Sequence, residues 1–279
     1  MSAPRPARED ESGVVLVNVL SVVALASVVV MMMISLQDTA IGRAQRYADA
    51  AQALAHARGG ELSAIAALRR DMIEAPEADH YAEPWAAVAE TDAPIENGTF
   101  SLRIEDAQAR FNINTLVRGG VAAEGTLGRI AAAAGADSDI ARRAGAYLRE
   151  NGPVSSLDEL IAVGVAPADI AALGAFVVAL PDPTQVNLNT ADEMLLAALF
   201  NNPVAARVLA RRRDRQGYLT ADDLRSVRIL APSGAGFASD YYVVEVEATV
   251  GTTRQRLASL LHRDRVDGRP VVVAIERLR

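Results

Sequence analysis

The chain has 279 residues, of which 51% are hydrophobic, and it carries a net charge of -7 at pH 7. It contains no cysteine, which excludes disulfides and thiolate metal sites, and its three histidines lie far apart in the sequence. The acidic balance argues against nucleic acid as the main partner, because neutralising phosphates requires clustered basic residues.

The first apolar segment predicts a helix that spans a membrane. From Val14 to Leu36 the sequence has 23 consecutive residues without a charge, and none of them is proline or glycine. A helix needs about 20 apolar residues to cross a hydrocarbon layer of about 30 Å. The segment 14–36 therefore anchors the protein in a membrane in a single pass.

The residues before this segment form a short polar leader. The leader, 1–13, ends in Gly13 directly before the apolar run, and no small-residue cleavage site is evident beyond the run. This arrangement resembles the class III signal of type IV prepilins. The resemblance implies that a prepilin peptidase cuts after Gly13, and that Val14 becomes a new, methylated N-terminus. An ordinary single-pass anchor is the alternative interpretation.

The fifth residue after the predicted cut is Asn18, where most pilins carry a glutamate. In pilins this glutamate is thought to neutralise the terminal amine of a neighbouring subunit. Asparagine supplies no full charge, so that salt bridge cannot form in the apolar layer. A subunit with no neighbour above it would not need one.

The segment 37–75 predicts a continuation of the helix. Gly59 and Gly60 are expected to bend or interrupt it, and Pro76 to stop it. A stripe of mostly small residues predicts close packing, either against other helices or against the protein's own sheet. The stripe comprises Ala40, Ile41, Ala44, Ala48, Ala51, Leu54 and Ala55.

Two separated segments, 76–111 and 240–279, predict an antiparallel sheet packed on this helix. Phe100, Leu102 and Ile104 alternate with polar residues after an Asn97-Gly98 turn. Near the C-terminus, strands are expected over 242–250, 255–261 and 270–275, joined by turns at Gly251-Thr252 and Asp267-Gly268.

Between the sheet segments, residues 112–239 predict a helical domain that contains a duplicated unit. A helix over 141–151, then Gly152 and a capped helix from Ser155-Ser156, is repeated as 205–216, Gly217 and a cap at Thr220. The acidic pairs Asp158-Glu159 and Asp222-Asp223 are typical of helix N-termini rather than metal ligands. Thr190 is expected to cap another helix.

This repeat resembles the helix-hairpin-helix units of DNA-binding proteins. The hairpin here reads Asn201-Asn202-Pro203, which lacks the glycines that let backbone N–H groups approach phosphate. An arginine run remains available to hold a phosphate, so a membrane-tethered DNA-binding module is an alternative function. The run comprises Arg207, Arg211, Arg212, Arg213 and Arg215.

Taken together, the prepilin-like start, the segment Phe111-Asn112-Ile113-Asn114-Thr115-Leu116 and the later segment Val186-Asn187-Leu188-Asn189-Thr190-Ala191 resemble the GspK family. This family comprises the large minor pseudopilins of the type II secretion system. The resemblance implies an α+β fold: a pilin-like N-terminal helix on an antiparallel sheet, with an inserted helical domain. A minor pilin of a type IV pilus is the nearest alternative.

The resemblance also implies a location, partners and a role. The protein is expected in the inner membrane with its C-terminal head in the periplasm, at the pseudopilus tip, where it starts or caps assembly for the export of folded proteins. The expected partners are other minor pseudopilins, the major pseudopilin, the prepilin peptidase and the inner-membrane secretion platform.

Neither a cofactor nor a catalytic site is predicted from the residues themselves. The sequence has no nucleophile elbow, P-loop, dinucleotide fingerprint or paired catalytic carboxylates, so we expect no enzyme activity. Members of the GspK family bind calcium in the head, which makes calcium an expectation by resemblance, but no D-x-[DN]-x-[DN]-G loop assigns its ligands here. The asparagines of the two motifs are interpreted as helix caps that fix the insert to the sheet.

Overall fold

One long helix dominates the N-terminal part of the chain. A computed structural model describes residues 10–278, with side chains described from residue 15 onward, so most of the predicted leader lies outside the described residues. Helix α1 (Asp10–Glu74) runs unbroken for 65 residues and ends before Pro76. It is long and apolar enough to cross a membrane, and its most apolar stretch is fully exposed.

The predicted bend at the glycine pair is wrong. Gly59 and Gly60 both lie inside α1. A Cβ atom on Gly60 would lie 2.7 Å from the Phe100 ring and 2.8 Å from Val246, whereas a Cβ on Gly59 would meet nothing within 4 Å. Gly60 therefore lets the helix backbone approach the sheet closely, a packing role that local helix propensity does not reveal.

The predicted alanine stripe does not pack on the protein's own sheet. Its residues are exposed, apart from the half-buried Leu54. The face of α1 that is buried lies further along the helix, at the three- and four-residue spacing of a single face. It comprises Asp49, Ala53, Ala57, Gly60, Glu61, Ala64, Leu68, Asp71 and Met72.

After α1, a linker (residues 75–89) leads to the first strand pair. Strands β1 (Glu90–Ile95) and β2 (Gly98–Asp106) form an antiparallel hairpin. The turn places Asn97 at φ 57°, in the left-handed region, and the next residue, Gly98, leaves no space for a Cβ beside the carbonyl of Thr249. Strand β1 was not predicted, because its sequence shows no alternation and contains Pro94.

The insert (residues 107–240) contains six α-helices, a seven-residue 3-10 helix and four two-residue strands. In chain order they are β3 (Phe111–Asn112), α2 (Leu116–Ala134), α3 (Ile140–Asn151), a 3-10 helix (Leu157–Val163), α4 (Pro167–Leu173), β4 (Val177–Val178), β5 (Val186–Asn187), α5 (Glu193–Phe200), α6 (Pro203–Gln216), α7 (Ala221–Ser226) and β6 (Ala235–Gly236). Phe111 packs in the insert's own core, so the insert begins slightly earlier than predicted.

The chain then returns to the sheet through β7 (Tyr241–Val250), β8 (Thr253–Val266) and β9 (Arg269–Leu278). The strand order is β1-β2-β7-β8-β9, and every neighbouring pair is antiparallel. These strands are longer than predicted. Asp106 at the end of β2 pairs with Tyr242 at the start of β7, so the insert leaves and re-enters the sheet at adjacent positions.

Two hydrophobic cores follow from this arrangement. The inner face of the sheet packs on α1 around Trp85, Leu68 and Tyr242, and the insert has a separate core of its own. The alternation along β7 explains the first core, because every second side chain points to the same face of a strand. The structure confirms the predicted α+β fold.

Candidate functional site

The duplicated unit of the insert extends further than its sequence signal. In the first copy, β3 pairs with β4 in parallel, and in the second copy β5 pairs with β6 in parallel. Each copy thus begins at an asparagine motif, passes through a helical hairpin, a glycine and a capped helix, and closes on the strand where it began. The two motifs seen in the sequence are the starting points of the two copies.

The first asparagine of each motif turns the chain in the same way. The Asn112 side-chain oxygen accepts from the Asn114 N–H at 3.1 Å, and the Asn187 oxygen accepts from the Asn189 N–H at 2.9 Å. Short polar side chains that bond two residues ahead favour such turns. Both side chains are buried, so each amide must find further partners for its NH₂ group.

The second asparagine of each motif binds the backbone two residues after the glycine that follows the helical hairpin of its own copy. Asn114 accepts from the Val154 N–H at 2.9 Å and donates to the Val154 carbonyl at 2.7 Å. Asn189 accepts from the Leu219 N–H at 2.6 Å and donates to its carbonyl at 3.2 Å. Val154 follows Gly152, and Leu219 follows Gly217, so the same clamp occurs twice.

Both copies then enter a short helix through a capping box. Ser156 and Glu159 form one, and Thr220 and Asp223 form the other. The acidic residues at these positions thus stabilise helix N-termini, as the sequence indicates. The predicted cap at Thr190 is wrong: Asp192 caps α5, and the Thr190 hydroxyl instead donates to Asp106 at 2.6 Å.

Asp106 is the residue on which the insert and the sheet meet. Its Oδ2 accepts from Asn187 at 2.9 Å, from Ser239 at 2.7 Å and from Thr190, while its Oδ1 accepts from the Gln108 N–H. Asn187 also donates to the Asp79 carbonyl at 3.0 Å. Burial raises the pKa of Asp106 above its ordinary range, although these hydrogen bonds oppose the shift.

A second buried polar group lies beside this junction, where α1 ends. Arg263 on β8 forms ion pairs with Asp71 on α1 at 2.8 Å and with Asp79 in the linker at 2.7 Å. Asp79 also accepts from the Ser239 N–H at 2.6 Å. Arg263, Asp71 and Asp79 together connect α1, which forms the stalk of the molecule, with the linker, the sheet and the end of the insert.

This group is also the acidic cluster in the described residues that most resembles a metal site. Oxygens of Asp71, Asp79 and Glu83 lie within 4.8 Å of one another. They do not fit calcium, which takes six to eight oxygen ligands, because the guanidinium of Arg263 already holds two of them and Glu83 accepts from Trp85 at 2.9 Å. Calcium binding in the head stays a prediction from resemblance, without a ligand set.

Two arginines of the run on α6, Arg212 and Arg213, are half-buried and engaged within the protein, whereas Arg207, Arg211 and Arg215 are exposed. Arg212 pairs with Asp223 at 2.7 Å, Arg213 donates to the Leu188 and Ala191 carbonyls, and Arg207 pairs with Glu193. The helical hairpin turns at Asn201, and the Asn202 side chain occupies the first N–H groups of α6. These N–H groups are therefore not free to approach a phosphate, which disfavours the DNA-binding alternative.

The predicted processing residues lie near the start of α1. Gly13 and Val14 belong to its first turns, and Asn18 is exposed on the apolar part of the helix. Asn18 lies far from the head, since among the side chains that the structure describes, from residue 15 onward, α1 is first buried at Asp49. Cleavage after Gly13 and the role of Asn18 stay predictions.

Sequence reasoning missed the residues that complete the junction. The junction brings together four residues that are each at least 24 residues from the next one in the sequence. They are Asp79, Asp106, Ser239 and Arg263. No local pattern marks them. The available signal was the placement of single charged residues in otherwise apolar strand patterns, as at Arg263 after Leu260-Leu261.

Comparisons with known proteins agree with this architecture. The family described as type II secretion system (T2SS), protein K, matches residues 186–245, which run from the second asparagine motif into β7. Protein K of the type II secretion system of Pseudomonas aeruginosa is 30% identical over 310 residues, covering 96% of this chain and 93% of that protein. The protein K of Klebsiella pneumoniae is 26% identical over 303 residues, covering 91% and 93%.

A solved structure shows the same fold. A chain in the crystal structure of the GspK-GspI-GspJ complex from the enterotoxigenic Escherichia coli type 2 secretion system matches with a TM-score of 0.64 at 20% identity. The match covers 85% of this chain and 99% of that one. With the helix, the sheet, the insert and the full-length relatives in agreement, this chain belongs to the type II secretion system protein K family of minor pseudopilins.

Proposed function

We propose that this protein sits at the tip of the pseudopilus and starts or caps its assembly, with its helix in the inner membrane and its head in the periplasm. The observation that carries the proposal is the division of the molecule into two parts. The first part of α1 is not covered by the head, and the head is enlarged by a second hydrophobic core. A subunit in the middle of a filament has neighbours above and below, and an insert of this size demands space that a tip position provides.

The exposed half of α1 supports assembly through helix packing. Its apolar side chains and the alanine stripe are uncovered by the head, and small residues let helices approach closely in a membrane. We propose other minor pseudopilins as the direct partners, because the structural match comes from a complex of GspK with GspI and GspJ. The major pseudopilin, the prepilin peptidase and the inner-membrane platform complete the proposed partner set.

Asn18 supports the tip position. A tip subunit has no neighbour above it whose terminal amine requires neutralisation, and a carboxylate without a partner is costly in an apolar layer. We expect Asn18→Glu to reduce secretion and pseudopilus assembly, and Asn18→Gln to leave both unchanged. A glutamate variant that assembles and secretes as well as the unmodified protein would contradict the tip assignment.

Processing is tested by N-terminal sequencing and intact mass of protein recovered from membranes, with and without a co-expressed prepilin peptidase. We expect a new N-terminus at Val14, which is lost when Gly13 is replaced by leucine. Gly59→Ala is the matched control, since that glycine has open space around it. A leader that stays on the protein in the presence of active peptidase would remove the basis of the assembly role.

The partner surface is accessible to single-cysteine crosslinking, because the chain has no cysteine of its own. We expect Ala44→Cys, on the exposed stripe, to form crosslinks with other minor pseudopilins carrying cysteines at the corresponding helix position. Val121→Cys, 87% exposed on the insert, serves as the control. Crosslinks at Val121 but not at Ala44 would place the partners on the insert instead.

We propose a structural role without catalysis.

A further inference from the structure

Two buried carboxylates face each other at the end of α1 with a single cation between them. Asp71 is 5% exposed and Asp79 is 1% exposed, and the guanidinium of Arg263 binds one oxygen of each. Two negative charges therefore meet one positive charge. Glu83 adds a third carboxylate nearby, although its Oε2 already accepts from the Trp85 ring and the His80 N–H.

The remaining oxygen of each carboxylate has no hydrogen-bond partner within the described part of the chain. Asp71 Oδ1 and Asp79 Oδ1 are both buried and unpartnered, and so is the hydroxyl of Tyr242, which is 0% exposed and lies beside Arg263. Unpaired buried charges are costly, whereas a protonated carboxyl group can donate to a neighbouring carboxylate. A proton on Asp71 would offset the excess negative charge and give Asp71 a donor for the neighbouring carboxylate of Asp79.

We propose that Asp71 keeps its proton in the folded protein and donates it to Asp79, and that loss of this proton as the pH rises loosens the joint between α1 and the head. Asp71 lies one turn before α1 ends at Glu74, and Asp79, in the linker, also accepts from the Ser239 N–H, where the insert returns to the sheet. Separation of the two carboxylates would act on the stalk, the linker and the insert together.

The surroundings determine the direction of the pH effect. Burial, followed by the charges of Glu83 and Asp79, raises the pKa of Asp71 to about 7, and Arg263 opposes this shift. The groups that face the pair from the elements packed around it are His80 and Glu83 in the linker, Asp106 at the end of β2, Asp240 and Tyr242 at the start of β7, and Arg263 and Arg265 on β8.

Because the pKa of Asp71 is higher in the folded state than in the unfolded state, folding takes up a proton. The stability that this proton contributes is fully present below the unfolded pKa of about 4 and is lost as the pH rises through about 7. The protein should therefore be less stable at pH 8.5 than at pH 5.5.

The test is thermal unfolding of the full chain in detergent at pH 5.5 and 8.5, followed through Trp85, the single tryptophan of the chain, which packs edge-on against Tyr242. We expect the Tm to fall by about 5 °C between the two pH values. Asp71→Asn replaces the protonated carboxyl with an amide that donates in the same way without titrating. Between the two pH values, the Tm of Asp71→Asn should change by less than half as much as that of the unmodified protein. At pH 8.5 the Tm of Asp71→Asn should be the higher of the two.

Asp49→Asn is the matched control, because Asp49 is a buried carboxylate on the same helix that accepts from Gln45 and is not a member of the Asp71, Asp79 and Glu83 cluster, so this variant should retain the full pH dependence. Equal Tm changes in Asp71→Asn and the unmodified protein would overturn the proposal. A Trp85 emission titration of the unmodified protein gives an independent result, with a midpoint near pH 7 expected and a flat response contradicting it.

A divalent cation is the competing occupant of the cluster. At pH 8.5, where the proton is lost, adding CaCl₂ should change the Tm relative to EDTA by the same amount in the unmodified protein and in Asp71→Asn if the cluster takes no cation. A calcium-dependent rise in Tm that is absent in Asp71→Asn would show that the cluster takes a cation, and would overturn the proposal.

Discussion

The two copies of the repeat in the insert share a motif but differ in what the first asparagine holds. In the first copy, Asn112 donates to the Asp182 carbonyl at 2.7 Å and to Thr184, both within the insert. In the second copy, Asn187 donates to Ser239 near the end of the insert and, outside the insert, to Asp106 on β2 and the Asp79 carbonyl in the linker. The comparison teaches that one copy stabilises the domain while the other attaches it to the sheet.

The largest expected effect separates these two roles directly. Asn187→Asp places a second carboxylate 2.9 Å from Asp106 in a buried site, and we expect it to destabilise the protein by ~3–5 kcal/mol. Asn112→Asp also buries a carboxylate, but its new oxygen meets the Asp182 carbonyl and the Thr184 hydroxyl rather than a second carboxylate, so its cost should be smaller, ~2–3 kcal/mol. Urea unfolding of both variants in detergent measures the difference. Equal costs would show that the two copies are attached alike.

The second asparagines provide a test of the shared part of the design. Asn114→Ala and Asn189→Ala each remove a side chain that clamps the residue two positions after a glycine, and each should cost ~2–3 kcal/mol. The same unfolding experiment applies. A loss in Asn189→Ala as large as that in Asn187→Asp would mean that the second copy owes its anchoring to the whole motif rather than to one residue.

The smallest expected effect concerns the capping boxes. Ser156→Ala and Thr220→Ala remove equivalent caps in the two copies, and we expect each to cost about 1 kcal/mol. Thermal unfolding resolves a change of this size. Ser155→Ala is a suitable control, because its hydroxyl contacts Glu159 but does not cap the helix. A cost well above that of the control in only one copy would show that the repeats are unequal at their second helix too.

Much of the fold follows from patterns that the sequence displays openly. The apolar run after residue 13, the alternation along β7 and the glycine-cap spacing predict a membrane helix, a sheet and a duplicated insert, because each depends on residues close together in the chain. The asparagine motifs were visible as capping signals for the same reason. The predicted role of these asparagines, to fix the insert to the sheet, applies to Asn187, which bonds to Asp106 on β2. Asn112 instead bonds to the Asp182 carbonyl inside the insert.

The parts that sequence reasoning missed depend on distant contacts. Gly60 looks like a helix breaker until Phe100 and Val246 are seen against it. Strand β1 carries Pro94 at a sheet edge, where proline is tolerated but gives no strand signal. Arg263 meets Asp71 across 192 residues, and no local spacing predicts such a pair.

The part of α1 that does not contact the head determines the distance between the membrane and the head. Residues 15–36 span about 33 Å as a helix, the thickness of the hydrocarbon layer, and residues 37–48 add about 18 Å before Asp49 meets the head. The polar headgroups of one leaflet take up about 5–7 Å of that distance. The remaining gap of about 11–13 Å is close to the diameter of one helix, so a neighbouring subunit's helix has room to pass between the bilayer and the head.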